Sequence, residues 1–317
     1  MTDPNAPTPE SNRHFYDRIA GAYDLIADAN ERTAREAGVR ALAPAPGEAV
    51  LELGFGTGNE VLDLAGLVGP GGKVAGIDVS PGMLAVANRK LAASPAKAPV
   101  DLRVGDARDY LRATDRRFDV IVSDLFVPWE SETGSLYTVE HYRTARRRLN
   151  ADGLFCQWLP VYQLGPEELH LIADSFAAVF PDVSLWWGHL DPGHPIIALI
   201  GSNGPLAADS GAVDRRLQRL WSIVPLDREI RTARDVSDLY LGHWRPRQPD
   251  RLNTDEHPRV EFLTPISQAD RTLLYGEALR RYSDNVLARL PDRPPLSGPV
   301  DDAEGRRSRQ RHALLGR

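Results

Sequence analysis

Apolar positions along the chain follow two alternating rhythms. Between His14 and Leu42, the residues Phe15, Ile19, Tyr23, Ile26, Ala34, Val39 and Leu42 recur at helical spacing, which predicts two helices. The stretch APAPGE breaks that period. Short apolar runs then alternate with longer segments of helical period. AVLEL (49–53) reads as a strand, GFGTG as a turn, and NEVLDLAGLVG as a helix stopped by Gly69, Pro70, Gly71 and Gly72. The same order repeats through strand KVAGID, helix SPGMLAVANRKLAA, strand VDLRVGD, a short helix near 109–113, strand FDVIVSD, helix TVEHYRTARRRL and strand GLFCQWL. After PEELHLIADSFAAVF, the runs at 183–190 and 195–202 read as a hairpin at the edge of the sheet. Such alternation predicts an α/β domain, a doubly wound and mainly parallel sheet with helices on both faces.

From Asn203 the segments become shorter and more polar, with helices expected over 211–222 and 267–282 around LNTDEHPRVEFLTP. The expected organisation is a disordered start over 1–12, the sheet domain over 13–202, an extension packed on it over 203–291, and a disordered tail over 292–317. GRRSRQRHALLGR, at the end, reads as part of that solvated tail.

Charge and composition narrow the function. The formal net charge of −6 argues against a general nucleic-acid binder, which needs a basic face. Cys156 is the sole cysteine and lies in an apolar run, so an internal disulfide and a cysteine zinc cage are excluded and a core position is expected. No histidine and carboxylate spacing suggests a metal. With no run of about 18 apolar residues and a start lacking a basic and apolar leader pattern, the expectation is a cytoplasmic protein without a membrane span.

Candidate chemistry gathers at three strand ends. In LELGFGTGNEV, Gly54, Gly56 and Gly58 lie between a strand and a helix, where a backbone without Cβ atoms lets a ligand approach. Asn59 stands where a dinucleotide fingerprint needs its third glycine, which weakens a nicotinamide reading. Glu52 is placed to accept from a ligand ammonium. Asp78 ends the next strand, in the position that suits both hydroxyls of a ribose. Asp106 ends the third, where it could accept from an adenine amino group while the Ala107 amide donates to the ring. Each acid could instead cap the helix that follows it. Together they line the crevice in which open α/β sheets bind ligands.

The run from Val50 to Lys90, with FYDRIAGAYD before it, resembles the class I S-adenosylmethionine (SAM)-dependent methyltransferases, most closely the group containing the ubiquinone and menaquinone biosynthesis enzymes. The resemblance covers about residues 14–95 and implies their Rossmann-like sheet and SAM as cofactor. It implies that Glu52, Gly54, Gly56 and Gly58 meet the methionine part, with Thr57 in the same run, that Asp78 meets the ribose and Met83 the adenine face, and that Tyr16 and Tyr23 help to cover the site. Beyond residue 100, the stretches GDARDYLRATDRRFDVIVSDLFVPW, GSLYTVEHYRTARRRLNADGLFCQWLPVYQL and NTDEHPRVEFLTP resemble the spermidine synthase (polyamine aminopropyltransferase) family. That likeness implies decarboxylated SAM as the alternative cofactor.

The second likeness is incomplete. An acid matching Asp124 begins a D-x-x-D-P stretch in that family, but the second acid is Val127 here. Thr57 replaces the family's aspartate in the glycine run, Asp191 stands where its tyrosine lies, and its amino-terminal hairpin domain is replaced by the helices at 14–42. A cationic diamine deprived of acids is costly to bury. The leading expectation is therefore methyl transfer to a small-molecule acceptor, with Asp124 beside the sulfonium as base or acceptor-orienting group. Leu125, Phe126 and Trp129 make the acceptor side apolar, and Tyr137, Gln157 and Tyr162 are further candidates to line it. An aminopropyltransferase and a non-catalytic SAM-binding relative remain the alternatives. The apolar edge strand at 195–202 suggests a homodimer contact.

Overall fold

Five runs of the first half become parallel strands; four are buried along most of their length, as a parallel sheet requires, and the edge strand at 100–104 leaves Arg103 and Val104 exposed. The computed structural model describes residues 9–21, 23, 44–94, 96–128, 133–189, 194–223, 230–292, 295–297 and 303–314. The strands are β1 (Ala49–Leu53), β2 (Lys73–Asp78), β3 (Val100–Val104), β4 (Phe118–Ser123) and β5 (Leu149–Pro160). Helices α2 (Asn59–Val68), α3 (Pro81–Ala93), α4 (Ala107–Ala113) and α5 (Val139–Arg147) connect them, and α1 (Pro9–Ile19) precedes them. Val50, Leu51, Val61, Leu64, Ile121 and Val122 are fully buried, so the core sits between this sheet and its helices.

After α6 (Pro166–Ala177), β6 (Asp182–His189) and β7 (Ile196–Ser202) form the expected antiparallel hairpin. Its position differs from the expectation. Strand β7 pairs with β5 on one side and β6 on the other, and β9 (Tyr240–His243) then pairs with β6, giving the order β3-β2-β1-β4-β5-β7-β6-β9. Both backbone edges of β7 are thus used inside the sheet, and the homodimer contact expected at 195–202 loses its basis. The expected boundary at 202 also fails as a boundary of the sheet, since the extension supplies the eighth strand.

The extension contains α7 (Ser210–Ile223), α8 (Ala233–Leu239), α9 (Arg259–Ala269) and α10 (Gly276–Asn285), with a minor ladder of β8 (Ala208–Asp209) and β10 (Leu296–Ser297). The helix expected over 267–282 is broken between α9 and α10, where Arg271 takes a left-handed conformation with φ 54°. Part of the expected disordered tail is ordered. Helix α11 (Ala303–Leu314) buries Arg306, whose guanidinium bonds both Asp292 oxygens at 2.6 and 2.7 Å and lies 5.3 Å from the centre of the Tyr240 ring. Gln310 donates to the Tyr240 carbonyl at 2.9 Å. The expected disordered start likewise gives way to α1 from Pro9 onward. The second early helix, Trp129 and Asp191 lie outside the described residues. Among the described residues, no helix is long and apolar enough to cross a membrane.

Candidate functional site

β1 leads outward to β2 and β3, whereas β4 lies on its other side and opens the second half of the sheet. The crevice at that reversal lies beyond the carboxyl ends of β1 and β4. Two backbone bonds continue the ladders past the strand tips: Gly54 donates to the Ile77 carbonyl at 2.8 Å and Asp124 to the Leu53 carbonyl at 3.0 Å.

Gly54, Gly56 and Gly58 all have positive φ, at 83°, 52° and 79°. At two of them a side chain is also excluded by space. A Cβ on Gly54 would lie 2.9 Å from the Phe126 ring, and one on Gly58 would lie 2.7 Å from the Ala87 side chain. The turn is therefore pressed between the chain after β4 and helix α3, where Gly58 packs against Ala87.

Asp78 is held by the same turn. Its Oδ2 accepts from the Gly56 amide and its Oδ1 from the Ser80 amide, both at 2.8 Å. Burial pushes its carboxyl above the usual aspartate value, although the two amide bonds act in the opposite direction. Ser80 caps α3 by accepting from the Met83 amide at 3.1 Å. Its hydroxyl donates to Asp17 of α1 at 2.6 Å, and the Gly82 amide donates to the same oxygen at 2.9 Å. These bonds hold the Asp17 carboxyl below its usual value. They also dock α1 on the start of α3 and carry Tyr16 to the rim, where its ring centre lies 6.3 Å from that of Tyr23.

A cavity of about 190 Å³ opens at this point. Its polar end has Asp78, Asp106 and Ala107 with Met83 beside them, Tyr16 and Tyr23 cover it, and Leu125, Phe126, Val127 and Leu136 make the other side apolar. A smaller cavity of about 70 Å³ includes Glu52, Phe55, Thr57, Asn59, Glu60 and Trp158 in its lining. Asp124, Leu125, Gly56 and Tyr23 border both. The structure thus brings together Tyr16, Tyr23, Gly54, Gly56, Asp78, Met83, Asp106, Ala107, Asp124, Leu125 and Phe126 around one space, and Glu52 and Thr57 around the adjoining one. Asp106 also caps α4, its side chain accepting from the Asp109 amide at 2.8 Å.

Three expected acceptor residues sit elsewhere. Tyr137 is fully buried, and its hydroxyl donates to the Phe126 carbonyl at 2.7 Å. Gln157 is also fully buried, and its amide group lies 3.4 Å from the Asp124 carbonyl and 3.1 Å from that of Trp158. Both support the backbone of the 124–126 segment from behind. Tyr162 borders neither cavity and packs edge-on against His194. One polar residue beside the site was missed. Lys90 of α3 places its Nζ 3.0 Å from Thr57 Oγ1 and 2.6 Å from Asn59 Oδ1, setting a cation against the glycine turn. Its spacing from Met83 and Ala87 along one helix face was the available signal.

Comparison with known proteins finds matches in the same part of the chain. Residues 50–153 match the family model described as a methyltransferase domain. A demethylmenaquinone methyltransferase of Symbiobacterium thermophilum is 39% identical over 122 residues, covering 36% of this chain and 48% of the relative. The nocamycin O-methyltransferase of Saccharothrix syringae is 28% identical over 255 residues, covering 74% of this chain and 85% of the relative. A polyamine aminopropyltransferase of Synechococcus is 38% identical over 90 residues, covering 26% of this chain and 28% of the relative. The chain spans about half the length of the demethylmenaquinone methyltransferase relatives it matches. The glycine turn, Asp78 and the parallel strands β1 to β4 thus fall within the region that matches the methyltransferase-domain model, residues 50–153.

Proposed function

We propose that the protein transfers a methyl group from SAM to a small acceptor with an apolar body. The observation that carries this reading is Asp78, pinned through both oxygens by the Gly56 and Ser80 amides at the polar end of the larger cavity. The donor set suits the cofactor: Asp78 for the ribose hydroxyls, Asp106 and the Ala107 amide for adenine edges, Met83 against the ring, and Glu52 for the ammonium. Bound there, the cofactor supplies an electrophilic methyl on its sulfonium.

The rest is positioning and proton removal. Asp124 borders both cavities and takes the proton from the acceptor atom, or orients that atom. Leu125, Phe126, Val127 and Leu136 hold an apolar acceptor and keep water from the reacting atoms. Tyr137 and Gln157, bonded to the carbonyls of Phe126 and Asp124, keep that segment in place.

Aminopropyl transfer is the second reading, favoured by the three acids Glu52, Glu60 and Asp124 around the smaller cavity. Two features oppose it. Val127 supplies no second acid along the groove, and Lys90 sets a positive charge beside Thr57, where an aminopropyl ammonium would need a negative one. The same lysine favours the carboxylate of intact SAM.

The test is product analysis with a panel of small phenolic, hydroxylated and amine acceptors. Methyl transfer releases S-adenosylhomocysteine from SAM, whereas aminopropyl transfer releases methylthioadenosine from the decarboxylated form. Acceptor-dependent release of S-adenosylhomocysteine supports the proposal. Acceptor-dependent methylthioadenosine alone overturns it.

A further inference from the structure

The larger cavity has two walls that are distant in sequence. One is the start of α4, with Asp106 and Ala107, and the other is the turn 133–137, which contributes Thr133, Ser135 and Leu136. The residue after each wall is polar and points to a common partner. Arg108, directly after Ala107, ion-pairs with Asp255, which is 147 residues away. Thr138, directly after the turn, lies 2.8 Å from the other Asp255 oxygen, across 117 residues. The Asp255 amide in turn donates to Glu140 at 3.0 Å.

The segment that carries Asp255 is itself firmly held. Asn253 is fully buried and uses its polar groups on four elements. Its amide donates to Ser175 of α6 at 2.8 Å, and its carbonyl accepts from Val139 of α5 at 3.0 Å. Its side chain donates to the Gly134 carbonyl at 3.3 Å and accepts from the Val260 amide of α9 at 3.1 Å. Thr254 and His257 exchange backbone bonds at 3.1 and 3.2 Å, closing a tight turn around Asp255. Burial opposes the ionised form of Asp255, but the bonds from Arg108 and Thr138 outweigh it and hold the carboxyl below its usual value. Asp255 is therefore a fixed anion at neutral pH.

We propose that Asp255 is a positioning residue for the cofactor: it clamps the α4 wall to the 133–137 wall through Arg108 and Thr138 and so sets the width of the cavity between them. Asp255 touches no cavity atom itself and acts through the residues next to Ala107 and Leu136. The inference rests on the reading that this cavity takes SAM.

Calorimetric titration of the full chain with SAM, well below the unfolding midpoint, tests it on Asp255→Asn, Arg108→Gln and the double variant. Each single change raises Kd by roughly three- to thirtyfold. The double change raises it no further than the larger single one, because both cut the same link. A merely structural Asp255 lowers the melting temperature of its variant and leaves Kd unchanged, and that result overturns the clamp alone. Additive losses in the double variant also overturn it. If Asp255→Asn fails to fold, Arg108→Gln reads the same link from the other side, and an unchanged Kd there is equally fatal. Failure of the unaltered protein to bind SAM overturns the reading of the cavity, and the clamp with it.

Discussion

The Gly56 amide donates to Asp78 Oδ2 at 2.8 Å, so the turn that follows β1 fixes the acid that ends β2. Gly56 has φ 52° and Asp78 has its other oxygen on the Ser80 amide, which leaves the carboxylate little freedom to turn from the cavity. Asp78→Ala removes a charged acceptor for two hydroxyls. At roughly 1.5–3 kcal/mol for hydrogen bonds to a charged group, SAM affinity falls by about ten- to a hundredfold. Calorimetry checks this, and unchanged affinity contradicts the assignment.

Acidification separates binding from stability at the same residue. The folded chain raises the Asp78 carboxyl above 3.8, so protonation begins at a higher pH than for an ordinary aspartate. Hydroxyl donors lose their acceptor, and SAM binding weakens as pH falls through that raised value. The sign for folding is the reverse. A raised aspartate stabilises the fold fully below 3.8 and loses that contribution as pH rises through its folded value. Kd and the unfolding midpoint, measured over the same acid series, check both signs; the Asp78→Asn variant removes both dependences.

His141 gives a second pH effect, remote from the cavity. It is buried beside Tyr142 and Phe155, and burial first, then the Arg108 charge, lowers its pKa from 6.5 to about 3. The unfolded chain binds the proton more readily, so stability falls as pH drops from 6.5 toward 3. His141→Leu flattens that part of the urea midpoint against pH. An unaltered slope means that the acid sensitivity lies elsewhere, with His170, lowered to about 4, the next group to replace.

Asp124→Asn separates catalysis from binding. If Asp124 removes the acceptor proton, kcat falls by roughly 10²- to 10⁴-fold while SAM affinity stays close to that of the parent. Equal turnover in the variant would remove Asp124 from the role of base.

The carboxyl-terminal helix is held by an ion pair whose arginine is buried. Arg306 is 1% exposed and carries both Asp292 oxygens. Arg306→Met leaves Asp292 with only the more distant Arg307, 3.8 Å away, and costs about 3 kcal/mol, the low end of the range for breaking a buried pair. A denaturant midpoint within error of the parent would show that α11 contributes little to the fold.

The strands from β1 to β5 were legible because each is a local apolar run closed by glycine, proline or an N-cap, and the acids at their ends needed no tertiary knowledge to be found. Asp78 and Asp106 belong to this class. β9 was not legible: YLGH is four residues long and becomes a strand by pairing with Ser184, Leu185 and Trp186 some fifty residues earlier. Helix α11 reads as a solvated basic tail until Arg306 meets Asp292 and Tyr240. Tyr137 and Gln157 misled for the opposite reason. Polar groups near strand ends look like ligands for an acceptor, yet here they bond backbone carbonyls. Lys90 and Asp255 act on residues 33 and 147 positions away, and such distances carry no trace in a local pattern.

The most direct test of the account is the affinity of the purified protein for SAM compared with its decarboxylated form. The two ligands differ in the carboxylate that, on the proposed reading, the glycine turn and Lys90 favour. Tighter binding of intact SAM is the predicted result. Preference for the decarboxylated cofactor would contradict methyl transfer and make the smaller, acidic cavity the seat of aminopropyl chemistry.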